Sequence, residues 1–241
     1  MFVPKRFVTA TGGTITYDGD YKIHTFLSSA NFIVTAGGDV EYLVVAGGGG
    51  GVSGATSAYK GTGGGGAGGY RANETYNHST TPQTYSIVVG AGGAKNASGS
   101  DSTFDTITGS GGGKGGTEST AGTSGGSGGG GGYPSYAGGS GNAGGYTPVE
   151  GYAGATAVGN NGGGGGGAGG AGSADTPGVG ASNDITSSAV TYAAGGRGGV
   201  NGVTPAVGIA NTGKGGGGGV SQIVDGAAGG SGKVVLRYKY K

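Results

Sequence analysis

Cysteine and tryptophan are absent from the 241 residues, and methionine occurs once. Without cysteine there is neither a disulfide framework nor a thiolate metal site. Histidine occurs twice. Two imidazoles and scattered carboxylates fall short of a metal-ligand set, so no metal and no cofactor is expected. Charge is also scarce: 10% of residues are charged and the formal net charge is +1. Lys and Arg do not cluster, which argues against a nucleic-acid partner. No apolar run approaches the ~18 residues of a membrane span, so the chain is not expected to be membrane-embedded. Met1–Phe7 lacks the apolar core of a secretory signal, and synthesis in a cytoplasm is the expectation. Helical periodicity is missing throughout, and dense glycine disfavours helix by about 1 kcal/mol per residue.

What the chain has is glycine, 71 residues of it. Collagen also reaches that fraction, but with glycine at every third position and abundant proline. Here glycine comes in irregular blocks, Gly47–Gly51, Gly63–Gly66, Gly111–Gly113, Gly128–Gly132, Gly162–Gly167 and Gly215–Gly219, and there are 6 prolines. A flexible linker is the ordinary reading of such composition. Three features favour order instead. The glycine region is fastened at both ends to strand-like segments. A third such segment, Tyr85–Val89, lies inside it. And 14 tyrosines are spread along the chain.

The first part reads as short strands. Thr14–Tyr17 is followed by the turn signal Asp18-Gly19-Asp20. Tyr21–Phe26 alternates, with Tyr21, Ile23 and Thr25 on one face and Lys22, His24 and Phe26 on the other. Asn31–Thr35, a turn at Gly37–Asp39 and Val40–Ala46 follow. For the glycine blocks an extended, left-handed three-fold helix of the polyproline II type is expected, a conformation open to glycine. Its N–H and C=O groups point outward and must be satisfied by neighbouring helices. Cα–H···O contacts would add a little. The entropy of ordering glycine opposes this, so a β base must pin the ends.

The expected fold is therefore all-β plus irregular structure. A small antiparallel base, formed by the N-terminal strands, Tyr85–Val89 and the C-terminal strand, carries a bundle of polyglycine helices. Residues 1–11 form an N-terminal arm. Residues 12–241 form a single glycine-rich domain, with a β base over 12–46, the bundle and its loops over 47–232 and a closing strand over 233–241. Reversals are expected at Ala58–Lys60, Tyr70–Thr84, Tyr133–Tyr136, Tyr146–Tyr152, Asp175–Pro177, Asn183–Tyr192 and Thr204–Pro205, where Pro, Asn and Asp suit turns.

Several motifs fail on inspection. Gly49–Gly54 fits a dinucleotide fingerprint, with Glu74 about twenty residues on, but no helix follows to hold a pyrophosphate. Gly208–Lys214 starts like a phosphate-binding loop, yet Gly215 stands where Ser or Thr would hold magnesium. Gly138–Gly141 continues with Asn142-Ala143 and lacks the aspartate of a calcium repeat. His24 lies in a strand and His78 in a polar loop near Glu74. Both read as surface histidines, and no nucleophile elbow accompanies them. No enzyme is expected.

Taken in order, Tyr21–Phe26, Asn31–Val34, Val40–Ala46 with its glycine run, Gly63–Tyr70, Tyr85–Gly93, Gly99–Phe104 and Gly232–Tyr238 resemble the glycine-rich domain of bacteriophage tail-fibre and virion proteins. The resemblance covers residues 12–241. It implies layered polyglycine helices with variable loops that recognise host surface receptors. The implied role is a non-enzymatic virion structural protein, a tail-fibre or tail-tip receptor-binding adhesin displayed on the virion surface. The alternatives are a capsid decoration protein or a cellular glycine-rich coat protein. Implied partners are other virion proteins (fibre shaft, tail or capsid) and a host receptor, an outer-membrane protein or glycan. Because the blocks lack side chains, contacts fall to the loops. Tyr133, Tyr136, Tyr146 and Tyr152 are the receptor-binding candidates; capping of the bundle ends is their alternative role.

Overall fold

The computed structural model describes residues 7–54 and 59–241, and of residues 74–77 the backbone alone. The described residues form twelve strands: β1 Thr9–Thr11, β2 Thr14–Asp18, β3 Tyr21–Phe26, β4 Ala30–Ala36, β5 Gly38–Val45, β6 Tyr70–Thr80, β7 Gln83–Val88, β8 Ser102–Phe104, β9 Ile107–Gly109, β10 Ala181–Asn183, β11 Val190–Tyr192 and β12 Lys233–Lys239. The described residues contain no α-helix. One sheet runs β1-β4-β7-β8-β9, a second runs β2-β3-β12-β5-β6, and β10 and β11 form a hairpin. All pairings between these strands are antiparallel. The all-β class read from the sequence is the class observed.

The closing strand β12 lies between β3 and β5. Its alternation is what both of its faces require. Val234, Leu236 and Tyr238 enter the core between the two sheets, and Val235 enters a second core under the β10–β11 hairpin. β3 obeys the expected faces: Phe26 joins the first core and Ile23 the second. Phe32 sits at the centre of the first core, with ring centroids 5.1 Å from His24, 6.3 Å from Phe26 and 6.3 Å from Phe104. A bulge between Val40 and Tyr42 turns β5 locally, and buried Glu41 pairs with Arg237, its opposite number on β12.

Some expectations need correction. Tyr70–Thr84 is not a reversal: it contains the eleven-residue strand β6 and the start of β7. Asn183–Tyr192 does reverse the chain, as the turn and second strand of the β10–β11 hairpin, and its Tyr192 and Ile185 are buried. The chain does not make a hairpin turn at Gly37–Asp39. It crosses there from the first sheet to the second, and Gly38 already belongs to β5. A Cβ on Gly37 would strike the carbonyl of Thr80, so glycine is needed for that close crossing. Within the arm, Thr9–Thr11 pairs with β4; residues 1–6 and Ala58 lie outside the described residues.

The glycine blocks are ordered and are not strands of any ladder. Their hydrogen bonds rotate through three neighbours. Along 63–69, N–H groups donate in turn to Gly116, Gly163, Gly216, Gly113, Gly166, Gly213 and Ser110. Every third residue thus returns to the same neighbouring segment. Residues 127–132 behave alike, donating to Ala67, Tyr152, Thr123, Gly64, Ala155 and Thr120. A β-strand directs its groups two ways; this backbone directs them three ways.

None of the block glycines lies in the left-handed φ region. Space, not φ, demands glycine here. A Cβ on Gly64, Gly130 or Gly165 would come closer than 3.0 Å to the backbone carbonyl of a neighbouring segment. The hydrogen in place of Cβ therefore points at a carbonyl, the arrangement of a weak Cα–H···O contact.

Candidate functional site

The bundle has two ends. Gly69 and Tyr70 mark the end that meets the β base, and Gly61 lies at the far end of the same extended segment. At the far end the Tyr133 N–H donates to the Gly61 carbonyl at 3.1 Å, and the Gly61 N–H donates to the Asn160 carbonyl at 2.7 Å. The Lys60 ammonium lies 4.5 Å from the Tyr133 ring centroid and donates to Asn160 Oδ1 at 2.8 Å. The Ala157 N–H donates to the Tyr136 carbonyl, and the Ser221 N–H to the Lys60 carbonyl. Loops around 59–60, 133–136, 157–161 and 220–223 therefore share one surface.

That surface is where the glycine lattice acquires side chains. Tyr59, Tyr136, Val158 and Ile223 are exposed on it, all but Tyr136 by more than half. A cation over an aromatic ring beside apolar and amide groups offers a partner hydrogen bonds, a face to stack on and one positive charge. Nearby turns are tied by exposed ion pairs, Lys95–Asp225 at 2.7 Å and Arg197–Asp175 at 2.8 Å. The hydrogen bond from Lys95 is the main cause holding the Asp225 carboxyl below its usual range.

Tyr146 and Tyr152 are elsewhere. Tyr146 lies at the base end, its ring 3.9 Å from the Arg71 guanidinium carbon. Its N–H donates to Asn142 Oδ1 at 3.1 Å, and its carbonyl accepts from Asn142 Nδ2 at 3.1 Å. The Tyr152 side chain is exposed, but its N–H donates to the carbonyl of Gly167, well back from the far end. The four tyrosines thus fall into two groups: Tyr133 and Tyr136 are brought together at the far end, and Tyr146 and Tyr152 are not part of that patch.

The base loop also holds Glu150, which is fully buried. Its carboxylate accepts from the Ser110 N–H at 2.8 Å and the Gly144 N–H at 3.1 Å. It packs against Gly69, where a Cβ would collide with the carboxylate.

Neither histidine is a freely exposed surface residue. His24 is fully buried. Its Nδ1–H donates to the Gly12 carbonyl at 2.7 Å and its Nε2 accepts from the Tyr238 hydroxyl at 2.9 Å. Burial lowers its pKa to about 4, against a smaller opposing effect of the Gly12 bond. Burial likewise raises the Tyr238 phenol to about 12. His78 lies on β6, not in a loop, with Nε2 3.1 Å from Asp105 and its ring 5.0 Å from that of Phe104. Among the described residues no group of three or more His, Asp or Glu is placed to hold a metal ion.

Comparison with known proteins adds one finding. A family model described as a glycine-rich domain matches residues 25–239. The chain belongs to that glycine-rich domain family. No curated protein matches it.

Proposed function

We propose that this chain is a non-enzymatic structural protein of a bacteriophage virion, a receptor-binding adhesin mounted on a tail fibre or tail tip. One observation carries the reading. A lattice of side-chain-free segments ends in a patch of loops bearing Lys60, Tyr133, Tyr136, Val158 and Asn160. A rigid scaffold with variable, side-chain-bearing loops at one end suits recognition, since the loops can change while the lattice stays fixed. The order of strand and glycine segments resembles phage tail-fibre and virion domains, which supports the virion setting. In this reading the β base faces other virion proteins and the far end faces a host outer-membrane protein or glycan.

The same account takes the glycine blocks as left-handed polyglycine helices of the polyproline II type. The three-way rotation of their hydrogen bonds supports it, since three residues per turn give that rotation. Backbone couplings and chemical shifts measured by NMR on isotope-labelled protein test it. Values for Gly128–Gly132 and Gly162–Gly167 should correspond to φ near −75° and ψ near +145°, the polyproline II range. Strand-like values would refute the helices.

Attachment is tested by competition. Purified protein added to host cells should reduce adsorption of the phage that carries it. Adsorption unchanged at saturating protein would count against an adhesin and leave a decoration role.

A further inference from the structure

At the base end, outside the far-end patch, Arg71 presents an unmatched group. It is the second residue of β6, opposite Val44 of β5. Its guanidinium is stacked against Tyr146, and its Nη1 is buried without a hydrogen-bond partner among the described residues. A guanidinium carries five N–H donors in a fixed fork, and leaving one dry and unpaired is unfavourable. Beside it lies a cleft of about 500 Å³, lined by Tyr42, Tyr70, Arg71, Asn73, Thr147 and Pro148 among others. That volume is within the range of small-molecule sites.

We propose that this cleft binds a carboxylate-bearing saccharide, with the carboxylate on Arg71. The planar fork matches a carboxylate in two-point contact, which selects an acid over a neutral sugar. The tyrosine rings and Pro148 give the apolar wall against which a sugar's C–H face packs. Asn73 and Thr147 supply an amide and a hydroxyl for ring hydroxyls. Nη1 has no solvent-accessible surface, so the acid reaches it as the Tyr146 ring moves aside. The hydrogen bonds that hold the Tyr146 main chain both go to the Asn142 side chain, not to the glycine lattice. Thr147, Pro148 and Val149 beyond it are exposed. Residues 146–149 can therefore shift while Asn142 and Glu150 keep their bonds to Gly126 and Ser110. This proposal does not depend on the adhesin reading, because the cleft and the far-end patch lie at opposite ends.

The test is titration calorimetry of the full chain with a glucuronate-containing oligosaccharide, its neutral glucose counterpart and inorganic phosphate. The acidic oligosaccharide should bind, at least tenfold more tightly than the neutral one. Arg71→Gln should weaken it at least tenfold. Val149→Trp, a change at an exposed residue that fills the cleft mouth, should do the same with an unchanged melting temperature. The second variant decides the matter if Arg71→Gln does not fold. No binding of the acidic oligosaccharide overturns the proposal. So does equal binding of the neutral one, binding of phosphate alone, or undiminished binding by the folded variants.

Discussion

Tyr133 and Tyr146, thirteen residues apart in sequence, lie at opposite ends of the glycine bundle. The Tyr133 N–H is bonded to the carbonyl of Gly61, while Tyr146 is stacked on Arg71. Gly61 and Tyr70 bracket one extended segment, so at ~3.1 Å per residue the two sites are separated by roughly 25–30 Å. Segments 137–142 return the chain from one end to the other, with Gly139 bonded to Gly129 and Asn142 to Gly126.

This separation predicts unequal effects on host attachment. Tyr133→Ala with Tyr136→Ala should leave the protein folded and weaken binding to host cells at least tenfold, since a contact aromatic contributes roughly 1–3 kcal/mol. Tyr152→Ala should leave attachment within about twofold. Binding of labelled protein to cells, with melting curves for each variant, measures both. Attachment unchanged in the folded double variant removes the far-end tyrosines as contacts; loss of folding assigns them a capping role.

The lattice predicts a sharp contrast between glycines. A Cβ on Gly130 would meet the Gly163 backbone within 3.0 Å, whereas Gly159 has nothing within 4 Å and a φ of 61°. Gly130→Ala should cost at least ~3 kcal/mol, because backbone on both sides must move. Gly159→Ala should cost about 1–2 kcal/mol, the strain of a left-handed alanine. Chemical denaturation compares the two, and equal costs would contradict the close-packed lattice.

Much of the β base is legible in the sequence and part of it is not. β3 and β12 alternate in the way a two-sided sheet demands, and their faces follow directly. β6 escapes because Arg71, Asn73 and Ser79 make it polar and it runs at the edge of its sheet. The signal that would have found it is glycine itself. No glycine occurs over 70–89, 100–108 or 181–194, and these stretches hold β6 to β8 and the β10–β11 hairpin. Where side chains persist, ladders form; where they vanish, the three-way lattice takes over. The far-end patch is only half legible, because Tyr133 and Tyr136 announce a loop but their meeting with Lys60 and Asn160 depends on bundle order. Arg71, Asn142 and Glu150 carry no local signal: each is a lone polar residue whose role comes from the partners the fold brings to it.

His24 predicts an acid-dependent stability. Its pKa is about 4 folded against 6.5 for the free side chain, so the unfolded state binds the proton more readily. The contribution is complete above about pH 6.5, declines as pH falls and is exhausted below about pH 4, amounting to about 3 kcal/mol at most. His24→Gln can keep one hydrogen bond each to Gly12 and Tyr238 without the titration. Denaturant unfolding at pH 7, 5.5 and 4 should show a smaller loss of stability in the variant than in the parent. Parallel losses would assign the acid sensitivity to other groups.

Amide hydrogen exchange in the presence of host outer-membrane vesicles tests the adhesin account most directly. Vesicles from the host should slow exchange at residues 133–136 and 157–161, and vesicles from cells that the phage does not adsorb to should not. Unaltered exchange in both far-end loops under saturating vesicle binding would contradict it.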